Sequence, residues 1–297
     1  MNPKLKYKIR DIIFILIIIG SFFIYDNYIK NNNNVQYREE PVNKIISKEN
    51  FSIHFIDIGE GDSIIINSNN EYALIDTGKY EYKNKLINYI KRLDINEFKY
   101  VFATHAHDDH IGSMATIIRE YKVDRFFIPN QKSNNKSYEY LLKELNKKNI
   151  ALETPNIDDE FILNDKKIKI IYLDQDKEDL NDTSIILKVT YKNNTFLLTG
   201  DATKEEELKT LDKDLKSDLL KIAHHGSKYS SSAQFLTKVK PEYAIISVGK
   251  DNEYHHPHQI TLDKLNKLNA KIYRTDINGN IIAYSDGNNI YIETEKE

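Results

Sequence analysis

Three of the chain's nine histidines fall within six positions, in the segment Thr104-His105-Ala106-His107-Asp108-Asp109-His110. His105 and His107 are two residues apart, so in extended backbone they point the same way. Asp109 and His110 follow where the chain turns toward a helical pattern beginning at Gly112, and can face the same cavity from the other side. Three imidazoles and a carboxylate converging in this way suit one or two zinc ions. The chain has no cysteine. That excludes disulfides, thiolate zinc sites, cysteine nucleophiles and lipoprotein-type acylation. A metal must then be held by His and carboxylates, a donor set that suits catalysis better than a purely structural role.

The elements that must position these residues read as short β-branched runs with helical patterns between them. Strands are predicted at 52–58, 63–67, 72–75, 100–104, 125–128, 168–172, 184–191, 195–199, 219–223, 243–248, 271–274 and 281–284. Helix-like periodicity occupies 83–93, 112–121, 138–148, 204–211 and 261–268. Asn193-Asn194 between two apolar runs marks a hairpin turn over 192–195. Many strands with interleaved helices predict a layered α/β body over 51–297.

The chain opens differently. Lys4, Lys6, Lys8 and Arg10 precede an uncharged apolar run from Ile12 to Tyr25, the pattern of a membrane anchor or a secretory signal over 1–29. The run is short for a span of about 20 residues, but Tyr25, Tyr28 and Lys30 can extend it at the interface. No small-residue cleavage site follows, which favours a retained single-pass anchor over secretion after cleavage. With the basic flank kept in the cytoplasm, the body faces outward from the cell membrane. Residues 30–50 are polar and unpatterned, and read as a linker. Residues 1–50 carry eight Lys/Arg against five Asp/Glu, which leaves 34 against 40 in the remainder, a net −6. An acidic body argues against non-specific nucleic-acid binding through a broad basic surface.

His105-Ala106-His107-Asp108-Asp109-His110 resembles the H-x-H-x-D-H signature of the metallo-β-lactamase superfamily. Other signposts appear in the expected order across about residues 50–285. Leu74-Ile75-Asp76-Thr77-Gly78 resembles its first motif, Leu198-Thr199-Gly200-Asp201 the motif of the bridging Asp, and Ala223-His224-His225-Gly226-Ser227 that of the last His ligand. Singly, these are an ordinary turn, a strand end and a surface His pair; together and in order they carry the resemblance. Within the superfamily, the segment from His54 through Asp57, Gly59, Glu60, Gly61 and Asp62 to Ser63 resembles the opening of the ComEC-like competence branch. Asn181-Asp182-Thr183-Ser184 and Tyr254-His255-His256-Pro257 resemble that branch too. Glu60 stands where Gln is usual, and His255 where Gly commonly precedes the His-Pro pair. The polytopic transport portion of ComEC is missing, so no DNA channel is expected of this sequence.

The resemblance implies an αββα four-layer sandwich and two divalent metal ions, zinc foremost with manganese as the alternative. Metal ligands would be His105, His107, Asp109, His110, Asp201 and His225, with Asp201 bridging. No His lies between His110 and His224, so the third imidazole of many relatives has no counterpart, and Asn181 or Ser184 is left to fill its place. The first site, on His105, His107 and Asp201, is then weaker or more open than the second, on Asp109, His110, Asp201 and His225. Catalytic candidates are Asp76, holding the metal loop by hydrogen bonds, Asp109, and His256, protonating a leaving group or contacting phosphate. Asp62 and His224 are lesser candidates for lining the site, and His54, His255 and His258 have no assigned role. Water held by such metals is acidified from about 15.7 toward ~7. The expected function is hydrolysis of a phosphodiester in DNA or a phosphorylated envelope polymer. Acyl or β-lactam hydrolysis and a binding module with a relict site are the alternatives. Composition does not fix an oligomeric state.

Overall fold

The computed structural model describes residues 51–175 and 177–297. The expected anchor at 1–29 and linker at 30–50 lie outside the described residues. Among the described residues no helix is long and apolar enough to cross a membrane.

The strands are β1 Phe51–Phe55, β2 Ile64–Ser68, β3 Glu71–Ile75, β4 Glu97–Phe102, β5 Lys122–Phe127, β6 Leu152–Glu153, β7 Glu160–Leu163 and β8 Lys166–Tyr172. They continue with β9 Ile186–Tyr191, β10 Asn194–Leu198, β11 Leu219–Lys221, β12 Tyr243–Ile246, β13 Lys271–Arg274, β14 Ile281–Ser285 and β15 Ile290–Thr294. They form one sheet in the order β15-β14-β1-β2-β3-β4-β5-β6 and another in the order β13-β12-β11-β10-β9-β8-β7.

Alternation along the strands decides which face goes where. Phe51, Ile53 and Phe55 of β1 pack with Ile64, Ile66, Ala73, Ile75 and Phe102 against Leu187, Val189, Phe196 and Leu198 from the second sheet. The intervening residues Ile65, Leu74 and Val101 face the other way, onto Leu86 and Ile90, Ile117 and Ile118, and Leu141 and Leu145. Those residues belong to the helices Lys83–Arg92, Met114–Glu120 and Lys136–Lys148. On the second sheet Ile186, Leu197 and Leu220 cover Phe235, Val239 and Leu265, from the helices Ala233–Val239 and Gln259–Lys267. Three apolar layers between two sheets and two helical faces make the αββα sandwich. Phe102 stacks on Phe127 at 4.9 Å and meets Phe161 edge-on at 5.3 Å. Its replacement by Ala would cost about 3–5 kcal/mol.

β3 to β6 run parallel, as do β10 to β13. The loops leaving the carboxyl ends of β3, β4, β10 and β11 carry Asp76, the histidine cluster, Asp201 and His224-His225, the edge where open α/β sheets build sites.

Three strands and three α-helices go beyond the sequence reading: β6, β7 and β15, and the helices Asp108–Ile111, Ala233–Val239 and Thr275–Asn278. The helix expected at 112–121 is found as Met114–Glu120, and a break at Gly112 and Ser113 separates it from Asp108–Ile111. Gly112 sits at the break because a Cβ there would come within 2.5 Å of both Asp108 O and Tyr80 N.

Candidate metal centre

The strand expected over 100–104 ends at Phe102, so His105 and His107 lie on the loop beyond it and Asp109 and His110 on the short helix Asp108–Ile111. The rings still converge: His105 and His107 meet edge-on at 4.8 Å, and His105 and His110 at 4.1 Å. Backbone bonds stitch this loop to its neighbours. Thr77 N donates to His110 O at 2.7 Å, Gly78 N to Asp62 O at 2.8 Å, and Asp62 N to Asp109 O at 3.2 Å. Gly61 is required there, since a Cβ would stand 2.1 Å from Asp109 O and φ is +123°.

Asp76 is fully buried at the end of β3. Its Oδ1 accepts from Thr104 N at 2.8 Å, and its Oδ2 from Thr104 Oγ1 and His110 Nδ1, both at 2.7 Å. Burial pushes its carboxyl up, with the His110 charge pulling the other way. Asp76 therefore acts on the site through Thr104 and His110, behind the cavity wall. With Nδ1–H engaged, His110 turns Nε2 toward Asp201 Oδ2, 3.3 Å away.

The His224-His225 turn reaches the same point by strain. Both residues are left-handed, with φ of 50° and 53°, a conformation costing on the order of 1–3 kcal/mol at each non-glycine position. His224 N donates to Gly200 O at 3.1 Å and Ser227 N to His224 O at 2.8 Å, which fix the turn. His225 Nδ1 donates to Ser247 O at 2.9 Å. That leaves its Nε2 3.3 Å from Asp201 Oδ2 and 3.5 Å from Asp109 Oδ2.

Asp109, His110, Asp201 and His225 thus bring four donor atoms within 4.8 Å of one another. A cation fits here, because His110 Nε2, His225 Nε2 and Asp201 Oδ1 are buried with no hydrogen-bond partner. The 3.3 Å approaches to Asp201 do not have hydrogen-bond alignment. Buried polar atoms are normally satisfied, so convergent unsatisfied donors mark a place for a metal. Burial alone would raise the Asp201 and Asp109 carboxyls, but the facing imidazoles hold both well below the carboxylate range. Burial alone would lower His110 and His225, but Asp201, with Asp76 and Asp109, holds both well above the usual imidazole value.

The residues expected at the first site are arranged differently. His105 Nδ1 lies 3.1 Å from Thr104 Oγ1 and 3.4 Å from Ser184 Oγ, and its Nε2 lies 3.0 Å from His107 Nδ1. His107 Nδ1 is also 3.1 Å from Asn181 Oδ1. Asn181 therefore stands beside His107 on the cavity wall, while Ser184 Oγ accepts from Asp201 N at 3.1 Å behind it.

The cavity above the cluster measures about 420 Å³ and is lined by polar residues, His224 and His256 among them. His256 Nδ1 contacts Glu60 Oε1 at 3.0 Å, and Glu60 Oε2 accepts from Gly249 N at 2.9 Å. Burial would raise Glu60, but the His256 hydrogen bond and the His225 charge lower it overall. His224 faces the cavity with its pKa lowered, chiefly by burial. Asp62 does not line the cavity: it is buried under His225, where Lys221 Nζ approaches Oδ2 at 2.8 Å. His54 belongs to the core, between Ser52 Oγ and the Tyr89 hydroxyl at 2.8 Å each, and burial pushes it down to about 3. Sequence reasoning missed Lys221, Lys79 and the pairing of Glu60 with His256. A lysine inside the apolar run Leu219–Lys221 was the available signal for the first.

A family model described as the metallo-beta-lactamase superfamily matches residues 56–250. ComE operon protein 3 of Bacillus subtilis is 31% identical over 250 residues, covering 77% of this chain and 32% of the relative. Recombination protein 2 of Haemophilus influenzae is 27% identical over 249 residues, covering 80% and 29% respectively. The chain thus spans about a third of the length of these curated relatives. The metallo-beta-lactamase fold protein YhfI of Bacillus subtilis superposes with a TM-score of 0.54 at 11% identity, over 82% of this chain and 100% of that one. That likeness concerns the fold.

Proposed function

The chain belongs to the metallo-β-lactamase superfamily of metal-dependent hydrolases, in its ComEC-like competence branch, and on that premise we propose that it is a phosphodiesterase. The observation that carries this reading is the four-donor cluster with unpartnered buried atoms, opening into a cavity lined mainly by charged and polar side chains, with Tyr254 the one aromatic ring besides the histidines. The cavity lining has four carboxylates against one ammonium, a formal −3. Two divalent cations would turn that to +1, suited to an anionic ester. Apolar walls normally dominate pockets for uncharged ligands, so an acyl substrate such as a β-lactam has less to hold it. The relatives' names, a competence-operon protein and a recombination protein, accord with a phosphodiester substrate.

Asp109, His110, Asp201 and His225 would hold one ion, and His105 and His107 with Asp201 the other. Bound divalent cations supply Lewis acidity to a phosphoryl group and acidify water. Asp76 and the Ser247 carbonyl fix the Nδ1–H tautomers of His110 and His225, which keeps both Nε2 lone pairs free. Glu60 is the positioning residue for His256: its carboxylate accepts the Nδ1–H hydrogen bond and leaves the Nε2 side of the ring to the cavity. His256 Nε2 is then placed to pass a proton to the departing oxygen. Residues 1–29 would tether the body to the membrane, facing outward.

The test is metal analysis of the purified chain together with turnover of bis-p-nitrophenyl phosphate and nitrocefin. Metal-dependent cleavage of the diester and not of nitrocefin is expected. A metal-free protein that stays active, or selective nitrocefin turnover, overturns the reading.

A further inference from the structure

Two side chains at the cavity take no part in the chemistry just described. Lys79 follows the Asp76-Thr77-Gly78 turn and is the only lysine or arginine lining the cavity among the described residues. Its backbone is fixed, with its carbonyl accepting from Tyr82 N at 3.1 Å and Ser113 Oγ at 3.3 Å, while its ammonium has no recorded ion-pair partner among the described residues. Tyr254 also lines the cavity. One face of its ring stacks on His256, with centroids 5.6 Å apart and planes 25° apart, yet the residue is 54% exposed. The far face of the ring is therefore open. Lys79, Tyr254 and Asp109 all line this one cavity, which places cation, aromatic face and metal-binding carboxylate around one opening.

We propose that Lys79 and Tyr254 form a nucleotide subsite beside the metal cluster, Tyr254 stacking a base next to the scissile phosphate and Lys79 pairing with a neighbouring phosphate. This rests on the phosphodiesterase reading and goes further, by assigning the residues that select a polynucleotide strand. An open aromatic face binds any base through its π surface, and a lysine on the backbone track supplies the electrostatic part of single-strand binding. A polyol-phosphate chain has no ring to stack and gains nothing from Tyr254. A choline headgroup would also be drawn to an aromatic face, so a choline diester is the competitor that the test includes. At about 420 Å³ the cavity is toward the small end of ligand pockets, which favours a threaded single strand.

The test uses the full-length, metal-loaded chain with two substrates, a mixed-sequence single-stranded oligodeoxynucleotide and glycerophosphocholine. Tyr254→Leu keeps an apolar cover over His256 but removes the stacking face. It should lower the kcat/KM ratio of oligonucleotide over glycerophosphocholine roughly ten- to a hundredfold, mainly through KM, and Tyr254→Phe should restore it. Lys79→Met should lower the same ratio and flatten the plot of log affinity against log salt by about 0.7, one phosphate contact on a single strand. Parent protein that prefers glycerophosphocholine, or variants that leave the ratio and the salt slope unchanged, would overturn the subsite while leaving the phosphodiesterase reading intact. Cleavage of neither diester, with nitrocefin turned over, would overturn that reading itself.

Discussion

Asp76→Asn separates tautomer control from simple packing. The change is nearly isosteric; with its amide oxygen in the Oδ1 place, Asn keeps the bond from Thr104 N, and its NH2 can donate to Thr104 Oγ1. The amide NH2 then faces His110 Nδ1, now 2.7 Å from a carboxylate oxygen. Two donors cannot share that contact, so the neutral ring relaxes by moving its proton to Nε2. That nitrogen is the one aimed at Asp201, and protonating it removes the lone pair a metal needs. Outer partners of metal-bound histidines typically contribute ten- to a hundredfold in metal affinity, about 1.4–2.7 kcal/mol. Loss of a charge-assisted bond should also cost about 1.5–3 kcal/mol of folding stability. At about 2–4 °C per kcal/mol for a body of this size, the metal-free melting temperature should fall by roughly 3–12 °C. Chelator competition for zinc and thermal denaturation with and without metal measure the two effects. Asp76→Ala is the control: it opens a small void but installs no donor, so it should damage stability as much and metal affinity less. An Asn variant that binds zinc within about threefold of the parent, or an Ala variant that binds worse than Asn, would refute the tautomer argument.

Asp201→Ala removes the carboxylate that faces Nε2 of both His110 and His225 and, like His107→Ala, should lower kcat by orders of magnitude. His54→Ala should destabilise the core but leave the turnover of folded protein near the parent value; steady-state kinetics beside circular dichroism checks all three. Metal binding requires neutral imidazoles, and His110 and His225 are both raised well above 6.5 in the metal-free chain. Their contribution to metal-free stability is therefore full below about pH 6.5 and lost as pH rises through the raised values. Zinc affinity should rise over the same interval, by up to about tenfold per pH unit for each proton released, and a pH-independent zinc titration would contradict this. For the membrane segment, protease treatment of intact cells should remove the body and leave residues 1–29 in the membrane fraction. A protected full-length chain, or a mature N-terminus near residue 30 in the medium, would count against that topology.

The layered fold was legible because its strands are short, β-branched and bounded by turn residues. What escaped was built by contacts a linear reading does not contain. β7 has only four residues and buries only Phe161 and Leu163 on its inner face. β15 is an edge strand that exposes Tyr291. The helix Ala233–Val239 depends on Ser232, whose side chain accepts from Phe235 N, and on Glu207, which accepts from Ser231 N and Ser232 N at 2.6 and 2.7 Å. Glu207 is 25 residues away from that cap, so serine-rich sequence alone gave no sign of it. At the site, the types and spacing of His105, His107, Asp109 and His110 pointed to metal chemistry directly. The direction of each lone pair did not follow from spacing, because it is set by Asp76 and Ser247 from other strands.

Lys221 shows how the fold decides where a cation is admitted. Asp62, Asp76 and His110 also bring donor atoms within 4.8 Å of one another, directly beneath the four-donor cluster. That lower group already holds a cation, although Asp62 Oδ1 has no hydrogen-bond partner. The fully buried Lys221 ammonium lies 2.8 Å from Asp62 Oδ2 and donates to Ile222 O at 3.0 Å, while Asp76 has all three of its partners. A dication placed about 4 Å from that ammonium would be repelled by roughly 8 kcal/mol even at an effective dielectric of 20. The upper group has no built-in cation: the buried Asp201 Oδ1 and the Nε2 atoms of His110 and His225 are unpartnered. Two carboxylate-rich groups that share His110 are thus made unequal by a single lysine in β11. The lower one is a sealed support and the upper one an open socket. Because Lys221 is only three residues before His224, the strand that supplies the internal cation also delivers the strained turn whose imidazole completes the socket.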